Sequence, residues 1–500
     1  MDLELKMQEL SCCEKTQTVV ITHEESLETV IPEYCPDVAR IVETVGQLKI
    51  RDKTLSAGRL TVSGAVKVTI LYTSEESAGL RSMILPIPFT CVADDPQLQN
   101  CRSVCVCGRL QLVEARVVTG RKLYIRVIPQ FEIEGICDAT YTVCTDVEKK
   151  QGLHMRRREE ELLLLTGVLE RTFHFNQEFL PEPGRGVPED LLLDRVYLRI
   201  AGCQRMGGKL LMKGEALVTV LYRADNRDLC SHEVVLSFSQ IVDAPHLPDE
   251  AIYQAEAWAE EFDVRLVRTD GGIGFGAAMR IGLMIKVYEK RLVPYIDDVY
   301  GTKCDITAQC RGQHIEQTQP AQSWHQDIVQ RLEFGQGKPF VYVTGLECGA
   351  VSMIPDGEHT LLQTNLRVKL LYLDESGAPV STERSVDVTV QLPQMPDRAR
   401  ASCAPVVLNI GANSCELRIP VDFFTEQTLH RCLNTLTSAE WQESSNRELP
   451  SLVLRKTTAG EDLWDVAKTY QTDPELIQKA NDLKVGDPLP DGMLLIPKVR

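Results

Sequence analysis

The sequence predicts a mainly β protein, with three tandem all-β, sandwich-like domains followed by a small βααβ domain. Three observations predict this fold: a strand motif that recurs every 150 residues, two hairpins associated with each copy, and a helix-containing pattern near the C-terminus. At 500 residues, the chain is long enough for several domains that each bury a core.

The recurring motif is a five-residue strand that ends in tyrosine. Its copies begin at Val68, Val218 and Val368 and read Val-Thr-Ile-Leu-Tyr, Val-Thr-Val-Leu-Tyr and Val-Lys-Leu-Leu-Tyr. Apolar residues alternate with polar or charged ones such as Lys67 and Lys369. Period-two alternation of this kind predicts half-buried strands with one charged, solvent-facing side.

Hairpins are predicted around every copy of the motif. A polar turn and a returning strand follow each tyrosine, which indicates a first hairpin. A second hairpin follows, with turns at residues 119–122, 270–272 and 411–413. Every one of these turns contains glycine, and the third also contains asparagine; both residues tolerate the positive φ of tight turns. The 150-residue period is domain-sized and too long for a solenoid unit. The predicted domains are residues 1–155, 156–301, 302–446 and 447–500.

The last domain has a different pattern, which predicts the order β-α-α-β within residues 452–497. Glu461 and Asp462 suit the start of a helix, because carboxylates accept hydrogen bonds from its free amide groups. Asp473 followed by Pro474 predicts the start of a second helix, and Asn481 can end it.

This tail resembles the LysM module in residues 460–467 (Gly-Glu-Asp-Leu-Trp-Asp-Val-Ala), 480–483 (Ala-Asn-Asp-Leu) and 494–497 (Leu-Leu-Ile-Pro). LysM modules usually bind N-acetylglucosamine polymers. The chain departs from the usual Gly-Asp-Thr/Ser-Leu in the turn that borders the glycan groove, which weakens the expectation of sugar binding. Trp464 could stack on a sugar, but its helical spacing with Ala467 favours a core position. The predicted partner-binding residues lie in two loops: Gly460, Glu461, Asp462, Leu463, Asn481, Asp482 and Leu483.

The whole chain resembles SipL-type spore morphogenetic proteins of clostridia and their relatives. Residues 31–38 (Ile-Pro-Glu-Tyr-Cys-Pro-Asp-Val) and the Val-Thr-Ile-Leu-Tyr strands are similar to that family's repeats. The resemblance implies a location in the mother-cell cytoplasm at the forespore surface. It also implies that the LysM module binds the coat-basement ATPase, stage IV sporulation protein A, and not a glycan. We therefore expect a non-enzymatic scaffold for spore coat assembly; the alternative is a peptidoglycan-binding protein.

Composition and charge exclude several other classes of function. The net charge of −17 makes nucleic acid and anionic lipid poor partners. The sequence lacks a secretory signal pattern at its start and an apolar run of about 20 residues, so direct membrane insertion is not expected. The seventeen cysteines are scattered and odd in number, which favours buried thiols in a reducing cytosol over a disulfide framework.

Candidate chemistry elsewhere in the sequence is weak, and we expect no catalytic residue, metal or cofactor. Cys101, Cys105 and Cys107 lack the second ligand pair of a zinc site. The glycine-rich residues 271–276 fit a hairpin turn better than a phosphate loop. Residues 156–161 (Arg-Arg-Arg-Glu-Glu-Glu) fit a solvated face, with an interdomain contact as the alternative. An enzyme of unrecognised type stays open as a third hypothesis.

Overall fold

The computed structural model describes most of the chain: residues 1–75, 79–244, 250–333, 340–403, 407–411, 414–443, 451–458, 460–484, 488–489 and 491–498. This part is mainly β, as predicted, with antiparallel strand pairs and two short α-helices near the C-terminus.

The first copy of the repeat forms two sheets. Its strands are β1 (Leu5–Lys15), β2 (Val19–Thr22), β3 (Glu25–Val30), β4 (Arg40–Ser56), β5 (Arg59–Thr73), β6 (Arg81–Asp94), β7 (Cys101–Thr119) and β8 (Lys122–Val147), with a 3-10 helix at Pro96–Leu98. Strand β5 lies between β4 and β6 in the first sheet. In the second sheet, β8 pairs with β7 along one edge and with β1, β2 and β3 along the other.

The other two copies repeat this plan. The second comprises β9 (Leu153–Phe179), β10 (Pro188–Met206), β11 (Lys209–Ala224), β12 (Leu229–Asp243), β13 (Ile252–Thr269) and β14 (Gly272–Gly301). The third comprises β15 (Cys304–Thr318), β16 (Gln322–Glu333), β17 (Val341–Cys348), β18 (Ser352–Asp356), β19 (His359–Leu373), β20 (Pro379–Leu392), β21 (Arg398–Cys403), β22 (Val407–Ile410), β23 (Ser414–Glu426) and β24 (Thr428–Glu443). The motif strands β5, β11 and β19 are the central strands of equivalent sheets.

Each pair of sheets encloses its own hydrophobic core. In the first copy, alternate residues of β5 such as Val66, Val68 and Ile70 are fully buried against the second sheet. The rings of Phe89 and Phe131, one from each sheet, lie 5.4 Å apart. Equivalent cores fill the second and third copies, because the same period-two pattern turns one face of each sheet inward.

The predicted domain boundaries differ in how they lie relative to the strands. The boundary at 155/156 lies inside β9, and the boundary at 301/302 lies between β14 and β15. The boundary at 446/447 lies outside the described residues. The division into separate domains stays a prediction.

The second face of the motif strands is buried in the first copy and partly buried in the other two, which corrects the prediction that this face meets solvent. Leu71, Leu221 and Leu371 occupy the same position in the three copies, and all three are fully buried in one shared cluster. Lys67, expected on a charged outer face, is buried and bonds to Asp194 of the next copy at 2.8 and 2.9 Å. The outer faces are covered because the three copies pack against each other.

Long strands bring the copies together a second time. Strand β14 pairs with β9 from Phe275 to Gly301, well beyond the sandwich core. The equivalent pairs β1–β8 and β15–β24 extend likewise. Buried residues of these three ribbons form one cluster: Leu10, Cys12, Val143, Leu162, Leu164, Val293, Ile315 and Leu433.

The predicted second hairpins are confirmed in the first two copies. Strand β7 ends at Thr119 and β8 begins at Lys122. Strand β13 ends at Thr269 and β14 begins at Gly272, whose φ is +121°. The glycine-rich run therefore starts a strand, as the hairpin interpretation expected. The predicted turn of the third copy includes residues 412–413, which lie outside the described residues.

Two cysteine pairs are bonded, which corrects the expectation that the cysteines are free thiols. Cys101 bridges to Cys137 across β7 and β8, and Cys348 bridges to Cys403 between the two sheets of the third copy. The other thirteen cysteines are free.

Candidate functional site

The C-terminal module has the predicted βααβ order. Its elements are β25 (Leu452–Thr457), α1 (Leu463–Thr469), α2 (Pro474–Ala480) and β26 (Gly492–Pro497). The Asp462 side chain caps α1 by accepting a hydrogen bond from the Trp464 amide at 2.9 Å. Asp473 caps α2 in the same way, with Pro474 at the first helical position, and Asn481 is the C-cap. The predicted helix starts are therefore confirmed.

The module has a small core to which the β body contributes one residue. Its buried residues include Val466, Ala467 and Ile477 from the helices and Ile496 from β26. Tyr300, near the end of β14, packs into the same cluster, and its hydroxyl donates to the Thr472 carbonyl at 2.8 Å. Burial raises the pKa of the Tyr300 phenol, helped by the negative charges of Asp473 and Asp298, so the hydroxyl stays protonated as a donor.

Asp298, two residues before Tyr300, is the polar centre of the contact between module and body. Its buried carboxylate accepts hydrogen bonds from Trp464 Nε1 at 2.8 Å and from Lys468 Nζ at 2.7 and 2.8 Å. The Trp464 ring meets the Tyr300 ring edge-on, with centroids 4.8 Å apart. Gln471 adds a hydrogen bond to Asp305 at 2.9 Å. Helix α1 thus docks on the ribbon formed by β9 and β14, and Gln471, just after the helix, adds the contact to β15.

Arg156 on β9 borders this contact. It donates to Asp297 at 2.8 Å and lies 3.5 Å from Asp462 and 3.8 Å from Asp465 of the module. Burial alone would lower the pKa of Arg156, but the surrounding carboxylates, Asp297 foremost, raise it. The solvated-face interpretation of this arginine is wrong, since it joins the body to the module. The charge run at 156–161 carries this signal in the sequence, and the interdomain contact is the alternative that holds for Arg156.

The first predicted loop lies beside this docking contact. Gly460 adopts φ +94°, with open space where a Cβ would stand. The Glu461 carboxylate accepts hydrogen bonds from Thr458 and faces Arg455 at 3.1 Å, so it braces the turn. Asp462 is exposed but engaged as the cap, and Leu463 packs partly into the module core.

The second predicted loop is divided between internal and exposed residues. The Asn481 side chain donates to the carbonyls of Ile477 and Leu495 at 2.7 Å each, and it accepts from the Leu495 amide at 2.8 Å. Its three bonds tie α2 to β26. Asp482 is exposed with φ +54°, and Leu483 packs partly into the core. Asp482 is therefore the residue of this loop best placed to meet a partner.

The outer face of the β25–β26 sheet is an exposed apolar surface that the sequence argument missed. Leu454 and Met493 are each 61% exposed, and Leu452 precedes Leu454 along the same face. The exposed Lys456, opposite Met493, gives this face one charged member. Leu454 stands opposite Leu495, while the inward residues Leu494 and Ile496 are buried. The signal was present in β25 and β26 as runs of apolar residues without alternation, which predict two apolar faces.

A cleft of about 550 Å³ lies between the three copies and holds a cluster of largely buried charges. Glu426 sits there between Lys15 at 2.6 Å and Lys286 at 3.4 Å. Burial alone would raise the pKa of Glu426, but the two ammonium groups lower it from 4.5 to about 2. Burial raises the pKa of the Cys105 and Cys107 thiols in the same cleft, which disfavours the reactive thiolate.

Two further properties of the described residues bear on function. No cluster of three or more histidine, cysteine, aspartate or glutamate side chains there has a metal-binding arrangement. Among the described helices, none has the length and apolarity needed to cross a bilayer.

Fold and site together define a class: a β protein built from three copies of one repeat, with a small βααβ module docked on one ribbon. Comparison with known families narrows this class. Residues 37–118 match the family model described as SipL, SPOCS domain, and this segment holds β4, β5, β6 and nearly all of β7. The match supports a SipL-type protein and indicates a sporulation-related role. No match to a curated protein was found.

Proposed function

We propose that this chain is a non-enzymatic scaffold of spore coat assembly. Its C-terminal module, as a LysM domain, docks to the coat-basement ATPase of the stage IV sporulation protein A type. The scaffold acts in the mother-cell cytoplasm at the forespore surface. The SPOCS match supports the sporulation role, and the module supplies the docking surface.

The observation that carries the docking proposal is the apolar outer face of the module. Helix α1 faces the body through Trp464 and Lys468, whereas Leu454 and Met493 face away from the module core and are exposed. Contiguous exposed apolar patches mark interaction sites, because a partner that covers them removes apolar surface from water. Asp482, in the second loop, adds an exposed polar group.

The peptidoglycan alternative is less well supported. Stacking on a sugar ring requires a free indole face, and Trp464 instead meets Tyr300 edge-on and lies under Arg156, 5.7 Å from the ring centroid. Its indole N–H is already bonded to Asp298. A protein partner that covers the apolar sheet face fits these contacts better than a glycan.

A non-enzymatic role is supported by the way in which the charged groups of the central cleft form ion pairs with each other. Glu426 pairs with Lys15 and Lys286, and Arg400 pairs with Glu256 at 2.6 Å. Charges paired in this way fix the relative positions of the three copies.

The binding experiment uses the full chain and the purified ATPase. Replacing Leu454 and Met493 with lysine should weaken binding at least tenfold, since each buried apolar side chain contributes roughly 1.5–3 kcal/mol. Val329→Lys, at an exposed apolar position of β16, is the matched control and should bind normally. Unchanged binding of the double variant would exclude the apolar face as the docking surface.

Two further measurements test where the protein is located in the cell and whether its partner is a protein or a glycan. A tagged chain without residues 452–500 should lose its localisation at the forespore; retained localisation would contradict the proposal. Calorimetry of the full chain with N-acetylglucosamine oligomers should show no saturable heat. Clear saturation would favour the peptidoglycan alternative.

A further inference from the structure

The three equivalent first sheets each expose an outer strand: β6, β12 and β20. Within the described residues, β12 pairs only with β11, so one of its edges has no strand beside it. An open edge presents a row of free N–H and C=O groups that can pair with another extended chain.

Equivalent positions on these strands can be matched through the central strands. Gly64, Gly214 and Thr364 are 150 residues apart, and they pair with Phe89, Phe238 and Val388. The residues just before these partners are therefore equivalent: Pro88 in β6, Ser237 in β12 and Asp387 in β20.

Strand β6 is protected by proline. The Asp95 N–H, just past the end of β6, donates to the Gly58 carbonyl, so odd-numbered residues face β5 and even-numbered residues face outward. Pro86 and Pro88 hold outward positions, where they remove the N–H groups that a neighbouring strand would need.

Strand β20 is protected by charge. Glu383, Arg384 and Asp387 are exposed on it, and charged side chains on an edge oppose pairing with another strand.

Strand β12 has neither protection over its central part. The Ala244 N–H donates to the Gly208 carbonyl at 2.9 Å, so even-numbered residues face β11 and odd-numbered residues direct their backbone groups outward. The odd-numbered residues Val235, Ser237, Ser239 and Ile241 are also exposed, Val235 at 55% and Ile241 at 56%.

We infer that the open edge of β12 is a self-association surface, which pairs antiparallel with β12 of a second copy about a two-fold axis at Phe238. The strand is self-complementary in this register. Val235 lies opposite Ile241 of the other copy, and Ser237 lies opposite Ser239. Each β-branched side chain thus lies opposite another β-branched side chain, and each serine lies opposite another serine.

Two local features oppose the pairing and are accommodated. The Gln240 side chain donates to the Ile241 carbonyl at 3.1 Å and must release it. Glu233 would lie opposite Asp243 of the other copy, but Lys209 stands 3.5 Å from Asp243 and offsets its charge. The two-fold pairing is closed and gives a dimer, whereas an open arrangement would give filaments.

Sedimentation of the full chain over a range of concentrations tests the inference. Wild-type chain should form a dimer. Ser237→Pro should weaken the dimer about tenfold or more, because the substitution removes one N–H donor from each copy and the symmetry counts it twice. Asp387→Pro, at the equivalent position of β20, is the matched control and should leave the dimer intact.

Ser237→Pro introduces the residue that β6 carries at the equivalent position, Pro88. Ile241→Lys is a second variant, which should weaken the dimer through its charged side chain while it keeps the backbone N–H. Amide exchange in the 233–243 segment should slow as concentration rises, while exchange in the 383–391 segment should stay constant. A wild-type monomer at all concentrations would overturn the inference. A dimer that persists in both the Ser237→Pro and the Ile241→Lys variants would also overturn it. So would amide protection of β12 that appears only when a different protein is added.

Discussion

Replacing Asp298 with alanine should release the C-terminal module from the body. The buried carboxylate bonds Trp464 Nε1 and Lys468 Nζ, so both contacts disappear at once. A hydrogen bond to a charged group contributes about 1.5–3 kcal/mol. The Lys468 side chain is 44% exposed, so its share is reduced towards the ~1 kcal/mol of a surface pair.

The combined loss is about 2–3 kcal/mol, which shifts the docked–undocked equilibrium roughly 30- to 150-fold. Tyr300 still packs on the module core, so docking is weakened but the module stays folded. Hydrogen exchange measured on the full chain should show faster exchange in α1, where Trp464 and Lys468 lie. Exchange in the body strands away from β14 should not change.

Asp465→Asn is the matched control. Its carboxylate is 70% exposed, 3.8 Å from Arg156, on the same helix. Loss of this exposed charge should leave exchange in α1 nearly unchanged. If Asp298→Ala also left it unchanged, Asp298 would not hold the module, and the contact would rest on Tyr300, Gln471 and Arg156.

Three further predictions concern the junctions between the copies. Glu426→Gln should destabilise the fold by about 3 kcal/mol in urea unfolding, because Lys15 and Lys286 lose their shared carboxylate; the exposed Glu416→Gln on the same strand should have little effect. The lowered pKa of Glu426 also makes stability pH-dependent. Its contribution is fully present above its ordinary pKa of 4.5 and is lost as pH falls towards about 2, so thermal melts should show an acid-side decline that Glu426→Gln reduces. Leu221→Ala should cost about 2–5 kcal/mol by leaving a cavity in the cluster shared with Leu71 and Leu371, and a loss below 1 kcal/mol would contradict the shared packing.

Local patterns in the sequence predicted the elements well. Alternating residues around Val68, Val218 and Val368 predicted equivalent strands, and these are the central strands of equivalent sheets. Asp473 and Pro474 predicted the start of the second helix correctly, with Asp473 as the N-cap and Pro474 as the first helical residue. These features depend on neighbours within a few positions, because strand alternation and helix capping are properties of the local backbone.

The contacts between distant segments could not be predicted in this way. Lys67 looked like a solvent-facing charge, yet it pairs with Asp194, which lies 127 residues away. Trp464 looked like a core residue of its own module, yet its indole N–H bonds to Asp298 on another strand. The alternation of apolar and polar residues along a strand indicates which side of the strand each side chain faces. It does not indicate which other segment covers that side.

The sequence by itself determined the mainly β class, the threefold repetition, the βααβ order of the tail and the resemblance that the SPOCS match supports. The tertiary structure alone decided that the second face of the motif strands is covered at Leu71, Leu221 and Leu371, that the module docks through α1, and that the outer edge of β12 lacks the protection found on β6 and β20. The physical reason is range: backbone geometry sets local periodicity, whereas burial and pairing depend on which segments, far apart in the chain, displace water from the same surface.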